Sequence, residues 1–408
     1  VQTLPKLLSH PAAAAALAIA AYTIMILPAL AAHHFDVSTF IVAGDRFVDA
    51  SQTPGPIAVR VHSAGYDGEF FYRLALNPLS FAPTAYGVTL DTPAFRMGRI
   101  LYAALAWAAS LGRPAAVPAA LFTLNLLGIG AIAALAGLIA RTAGLSWMLA
   151  PAIVLWPGFL VSLTHDTAEI LACALILGAI LCYLHGRFLA YAVIAALATL
   201  TRETTLPVFA GLLLYDLCHR RRPAILAGVL FVPFLTWTMF LTVAWHKMPA
   251  ANALGQNFGL LPLAGLAGML SDCITGARTW AAKPLGNLIV RGIVLATSLG
   301  LVGFSCLVAS RLADVVHGAS KLRPLAGAWL LLALMMAFLK AGGPWVEPAG
   351  YLRAASEFYV VGCLVLAVGG PIEMFGRRVR PALLAIAGAA LVGCGFVYCT
   401  SQIGLRAS

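Results

Sequence analysis

The sequence predicts an all-α polytopic bundle of about eleven membrane-spanning helices. Three observations carry this. The 408 residues are 61% hydrophobic, only 10% are charged, and apolar runs recur at near-span length along the chain. Soluble domains carry about 25% charged residues. A run of roughly 17–25 apolar residues is long enough to cross the hydrocarbon layer as a helix.

Such runs fall near 11–32, 119–140, 145–163, 170–186, 188–200, 206–218, 224–245, 286–308, 325–339, 358–372 and 381–400. The first follows Lys6 and resembles a signal peptide, but its length and the lack of a cleavage motif read as an uncleaved span. The fifth and sixth are short and meet at the polar tetrad Thr201-Arg202-Glu203-Thr204. Residues 99–112 are too few to span and read as a re-entrant or interfacial helix closing a long first loop, 33–118. With no linker, soluble appendage or repeat, the chain reads as one integral-membrane domain.

The formal net charge of +11 has a topological explanation. Threaded from a cytoplasmic N-terminus, Arg141, Arg187, Arg220 to Arg222, Arg311, Lys321, Arg323, Arg377, Arg378 and Arg380 fall in cytoplasmic turns, where basic residues concentrate. No basic tract interleaved with aromatics points to nucleic acid. Of the fifteen acidic residues only Asp216, Asp314 and Glu373 fall on that side; the other twelve gather at the opposite face. Charge beside hydrocarbon is costly and tends to mark function, so that outer face is the expected working surface. Cys173, Cys182, Cys306, Cys363 and Cys394 sit in apolar runs as small hydrophobes, and no Cys/His pattern has metal-site spacing.

Four segments supply the chemistry. In Gly65-Tyr66-Asp67-Gly68-Glu69-Phe70-Phe71-Tyr72-Arg73, a helix lying in the interface plane would present Asp67 just above the headgroups. There it could accept a proton from a hydroxyl as general base, or simply cap the helix. Glu69 and Arg73, four apart, are expected to pair. His165, Asp166 and Glu169 open the fourth span, with Asp166 and Glu169 spaced as a capping box and His165 available to bind substrate. Arg202 and Glu203 would sit near hydrocarbon, as a phosphate-binding fork or a structural pair bracing two helices. Lys340, Tyr351 and Arg353 lie before the tenth span, where Arg353, with Lys340 and Arg278, could surround a lipid phosphate. A loop at 246–285 adds Asn252, Gln256, Asn257, Trp280 and Lys283.

Together these pieces resemble the GT-C class of integral-membrane glycosyltransferases, in particular mannosyltransferase-like members. The likeness rests on Tyr66-Asp67-Gly68-Glu69-Phe70-Phe71-Tyr72-Arg73-Leu74-Ala75, with Asp91 to Arg96 and Arg99 to Tyr102 as its continuation, and on Asp166, Glu169 and Thr201 to Glu203. The resemblance implies a polyprenyl-phosphate-linked sugar as donor and an essential acid in the first extracytoplasmic loop, here Asp67. It implies no cofactor beyond the donor itself, and several members of the class need no metal. The acceptor would be a glycan, lipid or protein hydroxyl, and the setting a bacterial inner membrane. A lipid-linked saccharide flippase or a polysaccharide polymerase or ligase is the alternative, and a transporter should place polar groups at mid-membrane on broken helices. Asn125, Asp216 and Arg291 are the conspicuous candidates for that role.

Overall fold

The computed structural model describes residues 10–219, 229–279, 284–318 and 320–369, together with the backbone of 372–374 and 377–379. It is 73% helix and 3% strand, so the all-α expectation holds. Ten of the eleven expected windows carry helix, and the eleventh, 381–400, lies outside the described residues. Length separates the windows. Among the described residues, only Pro11–Ala32, Pro114–Ala143 and Pro284–His317 are long and apolar enough to cross a membrane alone. A pair bent by 48°, Pro348–Ala354 and Ser356–Val368, makes a fourth if counted as one span. Eleven crossings are therefore not established.

The helices in chain order are α1 Pro11–Ala32, α2 Asp67–Leu76, α3 Pro93–Gly98, α4 Ile100–Ala109, α5 Val117–Ala143, α6 Leu149–Val154, α7 Pro157–Thr164, α8 Glu169–Leu184 and α9 Phe188–Thr201. There follow α10 Leu206–Cys218, α11 Val232–Trp245, α12 Pro249–Asn257, α13 Ala264–Thr275, α14 Pro284–His317, α15 Pro324–Ala337, α16 Pro348–Ala354 and α17 Ser356–Val368. Three windows depart from expectation. The third window splits because Pro157 cannot donate into a continuing helix and forces Trp156 into extended backbone. Helix α14 runs past 308, so Arg311 and Asp314, expected in a turn, form an i, i+3 pair on it. The tenth window stops at Val368, and Ile372–Met374 pairs with Arg377–Val379 as a short antiparallel ribbon. Cys173, Cys182, Cys306 and Cys363 are free thiols.

Helix α1 packs along α5, α5 along α8, α8 along α9, and α10 along α15, which also meets α17. Their apolar faces make one large core running from Tyr22 and Ile26 through Ile129, Phe159 and Ile176 to Trp329 and Val361. The expected first loop is not a loose excursion. It has a core of its own, built from Ile41, Phe70, Phe71, Tyr72, Leu74, Met97, Tyr102 and Leu121. Two-residue strands tie it: Ala43–Gly44 beside Val59–Arg60, and Thr84–Ala85 against Val88–Thr89. Helix α4 packs on α2, with Phe71 edge-on to Tyr102, so residues 99–112 do form the short helix expected of them.

Where α10 meets α15, the backbones approach too closely for side chains. A Cβ on Gly211 would lie 2.4 Å from both the Cα and N of Ala328. Small residues at such crossings let helices gain packing contact that larger ones forbid. Gly211→Val should push the pair apart and lower stability by about 1–3 kcal/mol, read as a fall in the thermal unfolding midpoint in detergent; an unchanged midpoint would contradict this packing.

Candidate functional site

The glycines around Asp67 are explained by packing. Gly65 has φ +64°, and a Cβ there would stand 2.2 Å from Glu69 Oε2. At Gly68 a Cβ would meet the carbonyl oxygens of Ile41 and His165, both at 2.5 Å. The glycines therefore let the start of α2 slide between the 3₁₀ turn Val37–Ile41 and the end of α7. Residues 68–76 are all buried, so α2 is enclosed by the rest of the protein.

The N-cap of α2 is Tyr66, which makes no side-chain cap hydrogen bond, and the first helical residue is Asp67. Its two oxygens go to two arginines: Oδ1 accepts from Arg96 Nη1 at 2.6 Å and Oδ2 from Arg353 Nη2 at 2.6 Å. Burial alone would raise this carboxyl, but Arg96 and Arg353, with Arg99 behind them, hold it well below the usual carboxylate range.

From Asp67 the charges form a chain. Arg96 donates through Nε and Nη2 to both oxygens of Asp91, at 2.8 Å each. Its guanidinium lies over the Phe70 ring at 4.2 Å. On the other side, Arg353 Nε lies 3.3 Å from Glu169 Oε1, and its guanidinium sits 4.8 Å from the centre of the Tyr66 ring. The same Glu169 oxygen is 3.0 Å from Arg202 Nη1, which is also 3.2 Å from Glu357 Oε1. Ser162 Oγ donates to the second oxygen of Glu169, and Thr204 Oγ1 donates to Glu357. Beside this chain, Glu203 takes two bonds from Arg99, at 2.5 and 2.9 Å. First loop, α8, the α9–α10 break, α16 and α17 thus meet in one place.

Of the residues singled out from sequence, Asp67, Glu169, Arg202 and Arg353 are brought together, with Glu203 at the margin. The rest have other work. Glu69 and Arg73 do not pair. Glu69 Oε2 accepts from the Gly44 backbone N–H, while Arg73, fully buried, donates to Ser80 Oγ and the Ala82 carbonyl. Each found a backbone or loop partner that fixes the first loop, and that outweighs a weak i, i+4 attraction. The capping box is absent: α8 begins at Glu169, its N-cap is Ala168, and Asp166 lies in the turn with φ +43°. His165 stands edge-on to Tyr66 at 4.7 Å. Tyr351 is buried against Trp345 and bonded to Thr297, on the side facing α14. Lys340 reaches the Gly255 carbonyl and Arg278 pairs with Asp272, so neither joins Arg353. Trp280 and Lys283 lie outside the described residues.

Arg96, Arg99, Asp91 and Glu357 are members of the cluster to which the sequence reading gave no role. Arg96 and Arg99, three apart just ahead of the apolar helix α4, carried the available signal, because two cations entering apolar surroundings require partners. Among the described residues, no group of three or more His, Cys, Asp or Glu side chains is placed to hold a metal ion. Each of the five cluster carboxylates is turned toward an arginine. The chain matches no protein-family model, no curated protein and no solved structure.

Asp166 stands apart. It is wholly buried, neither carboxylate oxygen has a hydrogen-bond partner, and burial pushes its carboxyl well above the usual carboxylate range. Asp166→Asn should therefore leave stability unchanged or improved. Glu169→Gln should cost about 3–5 kcal/mol, because it strips a charge from between two buried arginines; chemical denaturation of the two purified variants checks the contrast.

Burial also raises Glu69, opposed only in part by the Gly44 N–H, to about 8. A carboxyl whose folded value exceeds its ordinary 4.5 stabilises the fold while protonated. That contribution is complete below about 4.5 and is lost as pH rises through about 8. The unfolding temperature should fall as pH rises from 4.5 to about 8, and Glu69→Gln, which keeps an oxygen for Gly44, should flatten that slope.

Proposed function

We propose that this protein is an integral-membrane inverting glycosyltransferase. It moves a sugar from a polyprenyl-phosphate donor to an acceptor hydroxyl on the extracytoplasmic face, with Asp67 as general base. One observation carries the reading: Asp67 of the first loop meets Arg353, 286 residues away, in a buried cluster that also holds Arg202. Guanidinium forks match phosphate oxygens, and the surrounding helices are apolar enough for a lipid-linked substrate.

In this scheme the donor phosphate lies on Arg202 and Arg353. The acceptor oxygen attacks the anomeric carbon from the opposite face while Asp67 Oδ2 takes its proton. The bond from that carbon to the phosphate oxygen breaks, and its electron pair leaves with the polyprenyl phosphate. The arginines stabilise the growing phosphate charge through an oxocarbenium-like transition state. The reading includes the eleven-crossing arrangement with a cytoplasmic N-terminus, in a bacterial inner membrane, and an acceptor on a glycan, lipid or protein.

The transporter alternative has less behind it. Asn125 donates to Tyr102, Asp216 accepts from Tyr183, and Arg291 donates to the carbonyls of Cys273 and Ile274. Each is engaged locally, and the three share no common partner.

Asp67→Asn should lower turnover by about 10²–10⁴-fold, the usual worth of a positioned base. The fold should survive, since Arg96 keeps Asp91 and Arg353 keeps Glu169. The assay is release of polyprenyl phosphate from a short-chain donor by detergent-purified protein with acceptor present. Near-normal release by the variant would refute Asp67 as base; vectorial movement of intact donor would refute the transferase.

A further inference from the structure

The resting site poses a problem that its geometry also answers. A carboxylate gripped at 2.6 Å by two arginines, and held well below its ordinary range, is a poor base. The cluster has no surplus positive charge to receive a phosphate either. Arg96, Arg99, Arg202 and Arg353 face Asp67, Asp91, Glu169, Glu203 and Glu357. An incoming phosphate must take an arginine from a carboxylate.

The two arginines on Asp67 are not equivalent. Arg96 is fully committed: Nε and Nη2 to Asp91, Nη1 to Asp67, its face on Phe70. Arg353 holds Asp67 through Nη2 alone, and its Nη1 is buried with no hydrogen-bond partner. Arg202, 5% exposed, likewise has an Nε with no hydrogen-bond partner. Both arginines touch the same oxygen of Glu169, so these idle donors belong to neighbouring guanidinium groups.

We infer that Asp67–Arg353 is a latch opened by the donor: the lipid phosphate engages Arg353 and Arg202, draws Arg353 away, and so frees Asp67 Oδ2 to act as base. Arg96 is a positioning residue that keeps Oδ1 in place throughout. This rests on the transferase reading and adds a sequence to it, because the base becomes competent only once the donor is seated. No proton or bond changes hands in the latch step; one ion pair is exchanged for another.

The test is binding rather than turnover. Farnesyl phosphate is titrated by calorimetry into wild type, Asp67→Asn, and Asp67→Asn combined with Arg353→Gln. In wild type the ligand must break the latch, and that competition weakens its apparent affinity. Asp67→Asn should bind about tenfold tighter, and the added Arg353→Gln should abolish the gain. Equal or weaker binding by Asp67→Asn overturns the latch and leaves the transferase reading to its own assay. Absence of binding in every variant overturns both. If Asp67→Asn cannot be purified, Arg353→Lys in the wild-type chain substitutes, since an ammonium cannot offer phosphate a planar fork. It should bind about tenfold more weakly, and unchanged affinity overturns the proposal.

Discussion

The Arg353 side chain, held between Asp67 and Glu169, is the contact on which the arrangement depends. Removing a charge from water costs several kcal/mol, and only close, well-oriented partners offset it. Here each charge is offset by the next: Asp91 by Arg96, Arg96 by Asp67, Asp67 by Arg353, Arg353 by Glu169, and Glu169 and Glu357 by Arg202. No single pair would survive burial alone. The cluster is therefore a constraint on tertiary structure as much as a site, since it is satisfied only when the first loop, α8, the α9–α10 break and the α16–α17 region are all in position.

The first loop bears the other half of that constraint. Asp67 must be delivered to Arg353 by a segment that lies outside the long helices, and this is why that segment has its own core. Gly44, Gly65 and Gly68 allow three backbones to close around Glu69, whose carboxyl bonds Gly44 and fixes the first turn of α2. Arg73 ties the far end of the same helix to residues 80–82. Trp237, from α11, donates to the Met97 carbonyl and clamps α3, which carries Arg96. Asp67 and Arg96 thus reach the cluster from the first loop, whereas Arg353 arrives from α16.

The membrane-protein character, the helical windows and four central charges were legible in the sequence because each is a departure from an apolar background. Asp67, Glu169, Arg202 and Arg353 stand out among hydrophobic neighbours, and burying them demands an explanation. The pairings were not legible. Local spacing favoured Glu69 with Arg73 and Asp166 with Glu169, but i, i+4 attractions and caps contribute about 0.2–1 kcal/mol, and buried tertiary partners outweigh them. Arg96 and Arg99 were read only as a continuation of the first motif, because nothing in one dimension places them opposite Asp67 and Glu203. The third window reads as one span for a related reason: hydropathy does not record where a proline divides an apolar run.

Two helix breaks lie beside the cluster, and their geometry explains why. Helices α6 and α7 break at Pro157, and α16 and α17 meet at a 48° bend beside Arg353. The two breaks face each other. Trp156 Nε1, at the first, donates to the Leu352 carbonyl and Ser356 Oγ at the second. Broken backbone within an apolar bundle is tolerated where protein groups satisfy the freed carbonyls, and Trp156 does that here. Gly158 permits the approach, since a Cβ would stand 2.4 Å from the Leu352 carbonyl. An unbroken α16–α17 helix would carry Arg353 along a straight axis. The bend and its tryptophan clamp are what turn this arginine toward Asp67 and Glu169, so the break in the helix and the position of the charge have a single cause.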